Sequence, residues 1–151
     1  MARAGTLVSE IEVKVSADHF YDTMKGKKES RVHEVSPDHI HQVDVHEGDW
    51  ETSGSVKQLT FAVGDTIETL KEKIEFDDEN KKITYTVLEG DLMKHYKSYK
   101  VILHVTPKGE GSLVKWSFLY EKVDESAPEP TKYNDLLLKV TKDLEIHLLQ
   151  A

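Results

Sequence analysis

The C-terminal stretch from Pro128 to Ala151 constrains the fold of this chain more than any other part of it. Pro128 and Pro130 stand where a helix can begin but cannot continue. No glycine or proline follows from Thr131 onward, so the sequence predicts a helix of about 20 residues, roughly 30 Å long. A helix of that length buries an apolar side only against something wide, and most of the remaining chain has the pattern of strands.

One side of this predicted helix is apolar. At about 100° per residue, that side consists of Tyr133, Leu136, Leu137, Val140, Leu144, His147 and Leu148. His147 lies near the middle of this side, which is an unusual position for an imidazole. We therefore take His147 as the first candidate for a functional group.

The sequence before this helix predicts an antiparallel sheet. A strand is predicted from Leu7 to Val15, followed by a short helix for which Ser16 is the expected N-cap. The sequence leaves open whether a second short helix follows at about 28–35. Six more strands are predicted at about 38–46, 54–63, 66–76, 81–89, 92–106 and 111–123. The short, turn-rich links between them favour antiparallel neighbours.

The last two predicted strands are long and rich in aromatic residues. In 111–123, the residues that share one face are Val114, Trp116, Phe118 and Tyr120. In 92–106, the residues that share one face are Met93, His95, Tyr99, Val101, Leu103 and Val105. The interior between such a sheet and a single helix is either filled by bulky side chains or left as a cavity, and the sequence does not decide between them.

Composition limits the class of protein. One domain covering residues 1–151 is expected, and 38% apolar with 32% charged residues suits a soluble globular chain. A net charge of −8 argues against nucleic-acid binding, which depends on clustered lysine and arginine. The absence of cysteine excludes disulfides and a thiolate nucleophile. Without a signal-peptide pattern or an apolar run long enough to cross a bilayer, we expect a cytoplasmic protein with no stable membrane insertion.

Four local sequences, together with the order of the predicted elements, carry a resemblance to a known family. They are Ala-Asp-His-Phe-Tyr at 17–21, His-Glu-Gly-Asp-Trp at 46–50, Thr-Ser-Gly-Ser at 52–55 and Lys-Trp-Ser-Phe-Leu-Tyr-Glu-Lys at 115–122. The chain resembles the major latex protein branch of the Bet v 1 (pathogenesis-related class 10) superfamily. The resemblance implies an α+β helix-grip fold: a seven-stranded antiparallel sheet wrapped around the C-terminal helix, two short helices and an internal hydrophobic cavity. It also implies a plant protein, linked to defence or stress, that carries amphipathic molecules or lipids.

The expected ligand is an amphipath such as a lysophospholipid or a fatty acid, with its polar head near His147. The alternative for His147 is a partly buried imidazole paired with a strand group. The other candidate ligand-binding residues are Phe20, Met24, Phe61, Tyr85, Tyr99, Leu103, Trp116, Phe118, Tyr120, Tyr133, Leu136, Val140 and Leu144. We expect about half of them to line the cavity, because a one-residue error in register turns the residues of a strand outward. No cofactor and no metal are expected, and the protein should be a monomer or a weak dimer.

Other functions have weaker support in the sequence. The loop Gly48–Gly54 lacks the ending of a nucleotide-binding loop, and its carboxylates would repel phosphate, so a rigid hairpin loop is favoured. His39 and His41 are too few for a metal site, and solvated strand histidines explain them better. Lys57 stands where proposals for ribonuclease activity in the family place a lysine. A ribonuclease, a condensing enzyme and a protein-interaction or storage role therefore remain as alternatives to the carrier, and we expect no catalytic residue.

Overall fold

The computed structural model describes residues 3–25, 35–50 and 52–150. Its strands are β1 (Ala4–Val13), β2 (Ile40–Glu47), β3 (Ser55–Val63), β4 (Thr66–Asp77), β5 (Lys82–Gly90), β6 (Tyr96–Lys108) and β7 (Gly111–Lys122). Its helices are α1 (Ala17–Lys25), α2 (Thr131–Gln150) and a 3-10 helix at Asp91–Lys94. The second short helix that was left open at about 28–35 lies almost entirely outside the described residues.

The strands form one antiparallel sheet in the order β1-β7-β6-β5-β4-β3-β2. Strands β2 to β7 follow one another as hairpins, which the short turn-rich links predict, and β1 pairs with β7 along its own full length. The shortest pairing joins β5 to β6 between Lys82↔His104 and Thr86↔Lys100. The predicted α+β architecture, with a seven-stranded antiparallel sheet and a long C-terminal helix, is confirmed.

Helix α1 begins where the sequence predicts. The Ser16 hydroxyl accepts a hydrogen bond from the His19 backbone N–H at 3.3 Å, so Ser16 acts as the N-cap. Phe20, Tyr21 and Met24 are buried on the side that faces the core. No helix in the part of the chain that the structure describes is long and apolar enough to cross a membrane.

The inward faces of β6 and β7 follow the predicted alternation for most of their length. Val114, Trp116, Phe118 and Tyr120 are all buried, as predicted for β7. On β6, the buried residues that share the predicted face are Tyr99, Val101, Leu103 and Val105. A register shift between Tyr96 and Ser98 breaks the alternation, so Tyr96 is also buried while His95 is exposed.

The prediction that 92–95 begins a strand is wrong. The chain forms a 3-10 helix there because Gly90 allows a close turn against β4. Its φ angle is 132°, and a Cβ at this position would lie 2.3 Å from the Thr69 carbonyl oxygen. The Asp91 carboxylate then accepts a hydrogen bond from the Thr69 N–H at 2.8 Å, and Leu92 turns into the core.

Helix α2 packs its predicted apolar side on the sheet, with Tyr133, Leu136, Val140 and Leu144 all buried. Three polar residues of α2 are buried as well. Asn134 accepts a hydrogen bond from the Ser9 hydroxyl at 2.6 Å. Thr141 accepts one from the indole N–H of Trp116 at 3.0 Å, and Glu145 accepts one from the Lys14 backbone N–H at 2.6 Å. These bonds attach α2 to β1, β7 and the residue that follows β1.

Candidate ligand-binding cavity

A cavity of about 120 Å³ lies between the sheet and α2. Every strand except β1 contributes to its wall, together with α1, the 3-10 helix and the first half of α2. The described residues that line it are Met24, Ile40, Val43, Leu59, Phe61, Leu70, Glu72, Tyr85, Val87, Leu92, Tyr99, Val101, Trp116, Phe118, Tyr133, Leu136, Leu137 and Val140. The wall is therefore mostly apolar and rich in aromatic rings.

Nine of the fourteen residues that the sequence selected lie in this wall. They are Met24, Phe61, Tyr85, Tyr99, Trp116, Phe118, Tyr133, Leu136 and Val140. Their share is a little above the expected half. Whether they bind a ligand stays a prediction.

Four of the other selected residues are buried but do not line the cavity. Phe20, Leu103 and Leu144 belong to the closely packed core, with at most 2% of each side chain exposed. The Tyr120 hydroxyl donates a hydrogen bond to Glu129, which precedes α2, and the ring packs on Tyr96. Aromatic and aliphatic residues are more often plain core than cavity wall, and these four follow that tendency.

The expectation that His147 faces the cavity is wrong, because its side chain is exposed in the last turn of α2. The side of α2 that is buried shifts around the helix axis toward its C-terminus, because polar residues there pack on the sheet. In the last two turns it is formed by Thr141, Leu144 and Glu145, with Leu148 partly buried. At about 100° per residue, His147 lies roughly 110° from the middle of that side.

Several wall residues were missed by the sequence-based choice although the pattern contained a signal for them. Leu59, Val87 and Val101 each lie two residues from a selected aromatic residue on the same strand, so they share its face. The choice favoured aromatic residues and passed over these aliphatic neighbours. Leu92 carried no such signal, because its inward direction depends on the 3-10 helix.

Tyr99 is one of the lining residues, and its hydroxyl has no hydrogen-bond partner among the described residues. Only 3% of this residue is exposed. Burial raises the pKa of Tyr99 far above its ordinary value, with a smaller contribution from neighbouring tyrosines and Glu68. The phenol is therefore protonated at neutral pH.

The polar groups beside Tyr99 are satisfied by one another. Its ring lies edge-on to that of Tyr133, with centroids 6.0 Å apart. The Tyr133 hydroxyl donates a hydrogen bond of 2.7 Å to Glu68, and burial followed by this bond raises the pKa of Tyr133. Lys132 lies 3.6 Å from the other oxygen of Glu68. This polar cluster lies at the start of α2, about 21 Å along the helix from His147.

The loop before β3 lies apart from the cavity wall. The Asp49 carboxylate accepts hydrogen bonds from the backbone N–H and the hydroxyl of Thr52, at 2.7 and 2.9 Å. The buried Lys57 ammonium lies 3.3 Å from the Trp50 carbonyl oxygen and 4.8 Å from the centroid of its ring. These contacts cross-link the loop, as the interpretation of a rigid hairpin loop predicts.

The two histidines considered for a metal site lie near the start of β2. His39 is in the turn before that strand and is partly buried, whereas His41 is exposed on the strand. Within residues 3–25, 35–50 and 52–150, no group of three or more histidine, aspartate and glutamate side chains is placed to hold a metal ion.

Comparison with known proteins agrees with this geometry. The family model described as "Pathogenesis-related protein Bet v 1 family" matches residues 2–151. MLP-like protein 34 of Arabidopsis thaliana is 41% identical over 147 residues, covering 95% of this chain and 46% of that protein. This chain therefore spans less than half of the length of that relative.

Solved structures support the same assignment. The crystal structure of ginseng major latex-like protein 151 from Panax ginseng is 37% identical, with a TM-score of 0.91, covering 97% of this chain and 98% of the other. Norcoclaurine synthase from Thalictrum flavum, solved with dopamine and hydroxybenzaldehyde, has a TM-score of 0.82 at 22% identity, covering 97% of this chain and 87% of the other. At that identity the likeness shows the fold alone. The chain belongs to the pathogenesis-related protein Bet v 1 family, in its major latex protein branch.

Proposed function

We propose that this protein binds and carries hydrophobic or amphipathic small molecules in the cavity between the sheet and α2. The observation that supports this most is the wall, in which Glu72 is the only charged side chain among the described lining residues. Moving apolar ligand surface from water into such a wall contributes about 25 cal/mol per Å². Ligand pockets are typically apolar with a few polar groups that fix orientation, and Glu72 is a polar group in this wall.

The size of the cavity limits what fits without rearrangement. Pockets for drug-sized ligands usually have volumes of about 300 to 1,000 Å³, well above the 120 Å³ found here. An apolar cavity of about 150 Å³ accommodates a benzene ring. A ring-sized group therefore fits almost as the wall stands, whereas the acyl chain of a fatty acid or lysophospholipid requires α2 and the sheet to separate.

The position of Lys57 favours a carrier function over catalysis. The lysine that suggested a ribonuclease-type reaction lies over the Trp50 ring, outside the cavity wall. A catalytic group must reach the reacting atoms of a bound substrate, within hydrogen-bond distance or through one water. We therefore propose a non-enzymatic cytoplasmic carrier, acting as a monomer or a weak dimer.

The test is a calorimetric titration of the purified protein with a flavonoid, a sterol, a fatty acid and a lysophospholipid. Val140→Phe, which adds a ring to the cavity wall, should weaken every ligand that binds by about tenfold or more. Ile146→Phe makes a comparable change on the exposed side of the same helix and should leave binding unchanged.

Urea unfolding of both variants establishes that they fold before their affinities are compared. Binding by the wild type with equal affinity in Val140→Phe would place the ligand elsewhere and contradict the proposal. No heat with any of the four ligands would favour a protein-interaction or storage role.

A further inference from the structure

Hydrogen bonds attach α2 differently to the two sides of the sheet. Toward β1 and β7, Asn134, Thr141 and Glu145 hold the helix along its length. Toward β4, Glu68 holds its first turn. We propose that strands β2 to β5 move away from α2 to admit a ligand, and that Glu68 and the two α2 residues it contacts, Lys132 and Tyr133, form the latch that keeps this opening closed. This inference rests on the proposed function and adds the route by which a ligand enters.

The latch is centred on one buried carboxylate. Glu68 is 9% exposed, and one of its oxygens accepts a hydrogen bond from the Tyr133 hydroxyl at 2.7 Å. The other oxygen accepts one from the Thr66 hydroxyl at 3.3 Å and lies 3.6 Å from the Lys132 ammonium. Hydrogen bonds to a charged group are about twice as strong as those between neutral groups. Separation of β4 from α2 therefore has its main polar cost at this point.

The sheet has a weak junction between its two sides. The pairing of β5 with β6 is the shortest in the sheet and ends at Thr86↔Lys100. Strand β5 continues to Gly90, and β6 begins at Tyr96, so one end of each strand extends beyond this pairing. Domain-scale opening usually occurs at a few positions that can change conformation while the packed parts stay rigid. We therefore place the hinge at the β5–β6 junction.

Tyr133 spans this junction on the inside of the sheet. Its ring lies edge-on to that of Tyr99 on β6, with centroids 6.0 Å apart, and its hydroxyl reaches Glu68 on β4. The register pairs Leu70 of β4 with Gly90, so Glu68 lies near the end of β5 that extends beyond the β5–β6 pairing. The latch is therefore at the end where the two sides of the sheet are least connected.

A second bond across the same opening lies farther along α2. The Ser36 hydroxyl, in the segment before β2, donates a hydrogen bond of 2.6 Å to Asp143. Because Asp143 is in the second half of the helix, this bond can persist while the first half separates from β4. The opening then widens toward Tyr133, Leu136 and Val140, which line the cavity.

The size of the cavity gives the opening a measurable consequence. At about 120 Å³, the closed cavity accommodates a single aromatic ring, and a larger ligand binds only to the open form. The apparent affinity for such a ligand is reduced by the fraction of molecules that are open. A weaker latch should therefore tighten the binding of a large ligand and leave that of benzene unchanged.

The experiment compares benzene, followed by NMR titration, with N-phenyl-1-naphthylamine, an uncharged dye with three aromatic rings whose fluorescence rises in apolar surroundings. Glu68→Gln removes the charge of the latch and should tighten dye binding about fivefold, with a faster association rate. Glu68→Ala removes the latch and should tighten it about tenfold or more. Both variants should bind benzene within about twofold of the wild type.

Glu145→Gln is the matched control. It removes the charge of another buried carboxylate that attaches α2, but its partner is the Lys14 backbone N–H on the side that stays attached. Dye binding should therefore stay within about twofold of the wild type. The amide spectrum of each variant reports whether it is folded.

A distance measurement tests the motion directly. The chain has no cysteine, so pairs of introduced cysteines can carry spin labels at chosen exposed positions. Ile67→Cys with Asp135→Cys places one label on β4 and one on α2, across the opening. Val8→Cys with Asp135→Cys places both labels on the side that stays attached. Saturation with the dye should lengthen the first distance and leave the second unchanged.

Three results would overturn the inference while the carrier proposal stands. The dye could bind to the wild type with no gain in either Glu68 variant, Glu145→Gln could tighten it equally, or the Ile67–Asp135 distance could stay constant on binding. If the dye does not bind but a ligand of the calorimetric panel does, that ligand takes its place in all three measurements. If neither benzene, the dye nor any panel ligand binds to the wild type, the proposed function fails, and this inference fails with it.

Discussion

The two halves of α2 face the same sheet but have different surroundings. In the first half, Tyr133, Leu136 and Val140 line a cavity. In the second half, Leu144 is packed with 2% of its surface exposed, and Glu145 accepts a hydrogen bond from the Lys14 backbone N–H. The second half therefore attaches the helix to the sheet, while the first half leaves space beneath it.

The polar groups of the two halves differ in the same way. In the second half, buried oxygens pair with the protein: Thr141 with the Trp116 indole, and Glu145 with the Lys14 backbone N–H at 2.6 Å. Beneath the first half, the Tyr99 hydroxyl has no partner in the described part of the chain. The buried polar atoms are therefore paired more completely beneath the second half than beneath the first.

The largest expected effect comes from removing a paired hydroxyl at the cavity end. Tyr133→Phe deletes the 2.7 Å hydrogen bond to Glu68, a carboxylate that is 9% exposed. Loss of a donor to a buried charge should lower the free energy of unfolding by about 2 kcal/mol. Urea unfolding at neutral pH measures the change.

Tyr99→Phe is the matched control for this substitution because the two rings are neighbours and, within the described part of the chain, only the Tyr133 hydroxyl has a partner. Removing the partnerless hydroxyl should leave the ligand-free protein equally stable or more stable, by up to about 1 kcal/mol. Equal destabilisation by both substitutions would contradict the contrast drawn between the two tyrosines.

A smaller, pH-dependent effect is expected at the attached end. Burial alone would raise the pKa of Glu145, but hydrogen bonds from Lys14 and Lys142 outweigh it and hold the pKa below its usual range. The ionised carboxylate therefore stabilises the fold above the unfolded-state pKa of about 4.3, and this stabilisation is lost as the pH falls through the lower folded-state value.

Glu145→Gln should lower the free energy of unfolding by about 1 kcal/mol at pH 7, because the amide keeps an acceptor but loses the charge. The difference from the wild type should shrink as the pH falls from about 5 to about 3. Glu125→Gln makes the same change at an exposed position and should have no comparable effect. A difference that is constant with pH would mean that the ionised form of Glu145 is not what stabilises the helix.

The sequence predicts the parts of the fold that repeat with a simple period. The alternation of Trp116 and Phe118 on β7 was readable because every second residue of a strand shares a face. The register shift before Ser98 was not readable, since it depends on pairing between strands. The sequence also did not predict that the buried side of α2 shifts around the helix, and the reason is related. Glu145 is buried only because a backbone N–H of a distant segment binds it. The same shift exposes His147, which was the first candidate for a functional group in the sequence.

The smallest expected effect is therefore at His147. Its imidazole is exposed at the attached end of α2, about 21 Å along the helix from Tyr133, which lines the cavity. His147→Ala should leave the affinity for any ligand of the calorimetric panel that binds within about twofold of the wild type, because an exposed side chain contributes little to binding inside a cavity. Val140→Phe, measured beside it, should weaken every ligand that binds. A selective loss of fatty acid or lysophospholipid binding in His147→Ala would show that an anionic head group reaches the end of the helix. The polar site for that ligand class would then lie at the attached half of α2, and the division between the two halves would hold only for neutral ligands.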